Sequence, residues 1–234
     1  MLRCESVHGM RVVATSASGE PSASATVAAA HGDTHAVVLV LHGGEETSRQ
    51  PASPNGRGAL RMLPFAWDLG RQLRRRGVGV WRLHYRYRGW NAPEASPLTD
   101  ARWVMAEVRR RHGHIPVVLL GHSMGGRVAV HVADDPLVRH IVLLAPWLPA
   151  GEDVSAVQGK RVLILHGDRD RTTSLAESEA WAARAASLPA AVDLERIEGG
   201  EHTMLKHARL WQRLATEGVI RGLDEARRPP GHHR

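Results

Sequence analysis

One cysteine, Cys4, stands in the 234 residues, so no internal disulfide can form, and no cysteine pair has zinc-finger spacing. That scarcity fits a reducing compartment. Long hydrophobic runs are missing too. The longest, Ala36–Leu41 and 141–145, fall far short of the roughly 20 residues that span a bilayer, so no membrane span is expected. Residues 1–30 carry Arg3, Glu5, His8 and Arg11 and hold no apolar core of the kind a secretory leader needs, and a cytoplasmic protein is expected. Lysine is almost absent, with Lys160 and Lys206 alone, so the formal net charge of +7 is carried nearly all by arginine. No nucleic-acid module accompanies that charge, and binding to DNA or RNA is not expected. With 43% hydrophobic and 24% charged residues, the chain has neither the apolar poverty nor the charge excess of disorder. One globular domain over 1–226 is expected, followed by a frayed tail at 227–234 that contains Pro229 and Pro230.

Short β-branched runs bounded by turn residues occupy Ala36–Leu41, 78–83, 115–120, Val138–Leu144, 162–165 and, more weakly, 192–197. Helical periodicity fills the gaps: Met62, Ala66, Leu69 and Leu73; then Ala101, Val104, Met105 and Val108; then 124–133, 175–186, and a last helix from near Thr203 through Leu210, Trp211 and Leu214. Alternating strands and helices predict an α/β fold, a mostly parallel sheet with helices on both faces and ligands at the strands' carboxyl ends. Two alternating segments, 10–15 and 25–30, are expected to form an antiparallel hairpin across 16–24.

The chemistry concentrates after the strands. The third of them runs into Gly121-His122-Ser123-Met124-Gly125 and then a helix, a G-x-S-x-G pattern on a strand-to-helix turn. Such a turn strains the serine backbone and lifts its Oγ above the sheet, while the glycines leave room for neighbouring elements. Ser123 is therefore a candidate nucleophile. It needs a base to take its proton and donors to hold an oxyanion. His42-Gly43-Gly44 follows the first long strand and can offer backbone N–H groups from Gly43 and Gly44, with the N–H of Met124 as a further donor; an ordinary tight turn is the other reading of that loop. Asp168 and Asp170 follow the fifth run and His202 the sixth. Asp170 would orient the imidazole of His202, which would take the serine proton and return it to the leaving group. Read separately, Asp170 is equally a helix cap and His202 a surface loop residue.

The motifs His42-Gly43-Gly44, Gly121-His122-Ser123-Met124-Gly125, His166-Gly167-Asp168-Arg169-Asp170 and Gly200-Glu201-His202 together resemble those of the α/β-hydrolase superfamily over nearly the whole chain. The resemblance implies that the acid is Asp170 rather than Asp168. It also points to the place of the usual cap domain, here only 146–159, so no large cap is expected and the site should lie open between loops 45–58, 85–99 and 146–149. Glu201 departs from the small residue common before the histidine and is expected to face solvent.

In those loops Trp90 and Trp147 are either an apolar pocket wall or partly buried packing. Arg86 and Arg88 either pack at the strand end or meet an acidic group of a substrate, packing being the commoner role of such an alternation. The leading function is a serine hydrolase acting on a small acyl substrate, ester or thioester, through an acyl-enzyme, with no cofactor and no metal. A serine aminopeptidase-like amide hydrolase and a non-catalytic binding protein on the same scaffold are the alternatives.

Overall fold

A computed structural model describes residues 10–14 and 21–227. Eight strands form one sheet: β1 (Met10–Val13), β2 (Ser24–Ala28), β3 (Ala36–Leu41), β4 (Val78–His84), β5 (Val117–His122), β6 (Val138–Leu144), β7 (Arg161–Gly167) and β8 (Ala191–Ile197). Their order across the sheet is β1-β2-β4-β3-β5-β6-β7-β8. From β4 to β8 every pairing is parallel, while β1 and β2 run antiparallel at one edge. The helices are α1 (Arg57–Arg61), α2 (Leu63–Leu73), α3 (Ser96–His112), α4 (Met124–His131), α5 (Leu175–Ala185) and α6 (Ala208–Ala226).

Alternation along the buried strands divides their side chains between two cores. Val37, Leu39, Leu119 and Leu143 pack beneath α3, α4 and α5, against Val104, Val128 and Trp181. Val38, Val40, Leu120 and Val142 face α2 and α6, against Leu69, Trp211 and Val219. Both faces of the central strands are therefore apolar, which is why they read as continuous hydrophobic runs.

Register then delivers the site. Leu41 pairs with Gly121, so the loop after β3 leaves the sheet beside the turn after β5. Gly167 pairs with Ile197, so the loops after β7 and β8 leave side by side. Between β6 and β7 the chain forms only one turn of 3-10 helix, Ser155–Val157, and no cap domain.

Beyond shifts of one or two residues at other ends, three differences from the sequence reading have a clear place in the fold. β5 begins at Val117 rather than at residue 115, because Pro116 has no N–H to give the ladder; its carbonyl accepts from Val37 N–H instead. The last helix starts at Ala208, not near Thr203, since Met204 and His207 both adopt left-handed backbone angles and hold 203–207 in turns. The expected hairpin is shorter, Met10–Val13 with Ser24–Ala28, and β2 also pairs with β4. Much of its connecting loop and residues 228–234 of the expected tail lie outside the described residues.

Candidate active site

Ser123 sits between β5 and α4 with φ 54° and ψ −122°, a conformation a serine adopts only when its surroundings impose it. They do so through the backbone. Its N–H donates to Leu144 O at 3.1 Å, and its carbonyl accepts from Gly126 N at 2.9 Å and Trp147 N at 3.1 Å. A Cβ on Gly121 would lie 2.4 Å from Gly125 O, and one on Gly125 would lie 2.3 Å from Leu41 O, so both glycines are required by close backbone approach.

The Ser123 Oγ lies 3.1 Å from His202 Nε2, and His202 Nδ1 lies 2.8 Å from Asp170 Oδ2. The three residues come from separate loops after β5, β7 and β8, as the spacing predicts. The carboxylate of Asp170 is fully buried. Burial pushes its pKa up, but hydrogen bonds from His166, from His202 and from the Thr173 and Thr172 backbone outweigh this and hold it well below the ordinary carboxylate range. Oδ1 accepts from Thr172 N at 2.7 Å and Thr173 N at 2.9 Å, while Oδ2 faces His202 and lies 2.9 Å from Thr173 Oγ1. Asp168 does a different job. Its Oδ1 accepts from Gly199 N at 2.7 Å and pins the turn after β8.

Two further groups hold the loop that carries His202. His122 Nε2 lies 3.1 Å from the His202 carbonyl. Burial, then the charge of His202, pushes His122 down to about 3, so the ring is neutral and its Nε2–H donates to that carbonyl. On the other side, Arg61 of α1 donates to the carbonyl of Thr203. Glu201 is exposed, as expected.

After β3, the His42 Nδ1–H donates to Gly43 O at 2.7 Å; burial pushes this imidazole down to about 4, so it stays neutral. The bond fixes the Gly43–Gly44 peptide plane, and the N–H of Gly44 points the opposite way from the carbonyl it shares that plane with. Space here is tight. A Cβ on Gly44 would lie 2.3 Å from Arg88 O, and one on Gly58 of α1 would lie 2.3 Å from Gly43 O.

A cavity of about 610 Å³ opens in front of Ser123 and His202, walled by the Gly43-Gly44 turn, by residues of 52–61 and by Arg88. Loop 45–58 supplies much of this wall, as expected, and 146–149 supplies none of it. Trp90 and Trp147 do not border the cavity. Their rings meet at 6.3 Å and enclose the guanidinium of Arg127, 4.1 Å and 4.5 Å from the two ring centres. Arg127 in turn lies 2.7 Å from the buried carboxylate of Glu152. Cation–π packing behind α4, not a substrate, accounts for both tryptophans. Arg86 is likewise taken, by Asp100 at 2.7 Å, whereas Arg88 reaches the cavity.

Sequence reasoning assigned no role to Thr173, His166, His122 or Arg61. The first two flank Asp170 closely in the chain, where partners for its carboxylate are naturally sought, but Arg61 carries no local signal. Among the described residues no cluster of His, Cys, Asp and Glu could hold a metal ion, and no helix is long and apolar enough to cross a membrane.

Among curated proteins, none matches the chain by sequence. The fold has many counterparts. XC6422 from Xanthomonas campestris, described as an α/β serine hydrolase without a lid, superposes with a TM-score of 0.66 at 18% identity, over 97% of this chain and 98% of its own. The thermophilic esterase Est2 from Thermogutta terrifontis gives 0.72 at 16% identity, over 97% of each chain. Est1E from Butyrivibrio proteoclasticus gives 0.64 at 15% identity, over 93% of this chain and 99% of its own. By sequence, residues 54–217 match the model of an α/β-hydrolase domain, a stretch that takes in Ser123, Asp170 and His202. That match spans well over half of the chain, which belongs to the α/β-hydrolase family.

Proposed function

We propose that this chain is a serine hydrolase that cleaves a carboxylic ester or thioester through an acyl-enzyme. The observation that carries the reading is the unbroken line from Ser123 Oγ to His202 Nε2 at 3.1 Å and from His202 Nδ1 to Asp170 Oδ2 at 2.8 Å. With Asp170 ionised and accepting, Nδ1 bears the ring proton and Nε2 is left bare to take the proton of Ser123. Oγ then attacks the acyl carbon. The oxyanion forms opposite the N–H groups of Met124 and of the Gly43-Gly44 turn, which need no reorientation because backbone bonds already fix both turns. His202 returns the proton to the leaving oxygen or sulfur and the acyl group stays on Ser123. In the second half, water gives its proton to Nε2 and attacks, and Ser123 leaves with the proton. Neither half calls on a cofactor. The esterases that share the fold support the ester reading.

A fluorophosphonate probe tests this. Only an activated serine reacts, so mass spectrometry should find one adduct, on Ser123, and none on a folded Ser123→Ala protein. A folded parent that takes up no probe, or a Ser123→Ala variant that takes it up equally, would overturn the reading.

A further inference from the structure

Three guanidinium groups border the cavity in front of Ser123: Arg57 and Arg61, one turn apart on α1, and Arg88 from the loop after β4. None has a carboxylate partner among the described residues. Arg88 donates to Pro51 O at 3.3 Å, and Arg61 donates to Thr203 O, which neutralises neither charge. Among the described residues the one carboxylate bordering the cavity, Glu45, is exposed and forms no ion pair with any of the three. Of the other half-buried arginines among the described residues, four are answered, Arg76 by Asp224, Arg86 by Asp100, Arg109 by Asp135 and Arg127 by Glu152, and Arg82, which does not border the cavity, is not.

We propose that Arg57, Arg61 and Arg88 form a subsite for a carboxylate on the substrate, so that the enzyme acts on esters bearing a negative charge close to the scissile bond. The inference rests on the serine hydrolase reading and names its substrate class. Arg61 is the centre of the subsite. It is half-buried, and burial lowers its pKa, so its charge is already partly stripped of water while lacking a counter-ion. It lines the same cavity as His122 and Ser123. A planar guanidinium with free N–H groups binds a carboxylate by two parallel hydrogen bonds. The two exposed arginines, Arg57 and Arg88, add attraction at the rim and draw in anions from solution.

The test compares matched esters. On the acyl side, 4-nitrophenyl hemiglutarate is set against 4-nitrophenyl valerate; on the alcohol side, 4-acetoxybenzoate against 4-methylphenyl acetate. Each kcat/KM is divided by the rate of the same ester in buffer, which removes intrinsic reactivity. The anionic ester should be preferred by about tenfold or more in one arm, and that arm identifies which half of the substrate carries the charge. The preference should shrink as salt rises from about 50 mM to about 1 M. Arg57→Gln and Arg88→Gln should each lower it several-fold and Arg61→Gln should abolish it, with partial recovery in Arg61→Lys. Since Arg61 also holds the Thr203 carbonyl, the ratio of the two esters is the readout, not either rate alone. Preference at or below one in both arms, or a preference untouched by all three substitutions, overturns the subsite. Fluorophosphonate labelling of Ser123 in the same preparation would then show that the hydrolase reading survives. Should neither ester turn over, calorimetric titration of Ser123→Ala protein with monomethyl glutarate and with methyl butyrate decides the matter, and equal or absent binding overturns it.

Discussion

Replacing Asp170 by asparagine changes one atom, and the structure dictates which one. Oδ1 receives two backbone N–H groups, from Thr172 at 2.7 Å and Thr173 at 2.9 Å, so the oxygen of the new side-chain amide must take that place. Its NH2 then stands where Oδ2 did, facing His202 Nδ1 at about the present 2.8 Å. Two donors cannot face each other there, so the imidazole must carry its proton on Nε2 instead. That tautomer donates toward Ser123 Oγ and cannot accept the serine proton. The variant keeps the geometry and loses the chemistry. In serine proteases a tautomer error of this kind lowers turnover by about 10⁴, equivalent to about 5 kcal/mol of transition-state stabilisation, and a similar loss is expected here. Steady-state hydrolysis of 4-nitrophenyl acetate measures it, with thermal unfolding as the control for folding. Asp168→Asn is the companion. Its amide oxygen can still accept from Gly199 N–H, so activity should fall no more than a few-fold. Parent-like rates in a folded Asp170→Asn protein, or a greater loss in Asp168→Asn, would refute the assignment of the acid.

Stability should fall steeply in mild acid. His42, His84 and His140 are held near 4 and His122 near 3, each chiefly by burial, against an ordinary value of 6.5. At these four positions the unfolded chain binds protons from about pH 6.5 downward while the folded chain binds none until near 4, so stability declines across that interval, by about 1 kcal/mol per pH unit for each of them. A thermal midpoint that stays constant from pH 7 to about 4.5 would contradict this. Changing Arg74, Arg75, Arg76, Arg109, Arg110 and Arg111 together to glutamine should leave hydrolysis of a neutral ester nearly unchanged, since both clusters sit at helix C-terminal ends, at the sheet edge opposite Ser123. The thermal midpoint should drop, because ion pairs to Asp224, Asp135 and Glu107 are lost. A large loss of turnover in the folded variant would refute that placement.

What the sequence reveals of this fold follows from how local each signal is. Strands β3 to β7 are largely buried on both faces and advertise themselves as β-branched runs; β8 alternates exposed with half-buried residues and reads more weakly. The pairing of β2 with β4 joins segments more than fifty residues apart, and nothing near either of them records it. The turn at Ser123 is legible because its two flanking glycines answer a steric demand from Leu41 and from each other, and that demand leaves a mark in the chain. The start of α6 is not, since left-handed angles at Met204 and His207 are chosen by packing and neither residue prefers them.

Side chains that meet only across the fold are hidden in the same way, and the arginines show both outcomes. In the triplets 74–76 and 109–111 the last turn of a helix suffices to explain the charge, as the helix dipole suggests, and acids close by in space complete it: Asp224 for Arg76, Asp135 for Arg109, and Glu107 for Arg110 and Arg111. Arg57, Arg61 and Arg88 look no different as letters. Two stand one turn apart on a five-residue helix and the third is forty-odd positions from the glycine turn it adjoins. Only when β3, β4 and β5 are set side by side do the three converge on one cavity without an acid to answer them. Trp90 and Trp147 illustrate the reverse. Large aromatics beside a nucleophile suggest a pocket, yet here they close around Arg127 and leave the cavity wall to the arginines. An apolar wall would suit any small acyl group; a wall of unanswered guanidinium groups selects by charge, and it is on charge that the substrates of this enzyme should be sorted first.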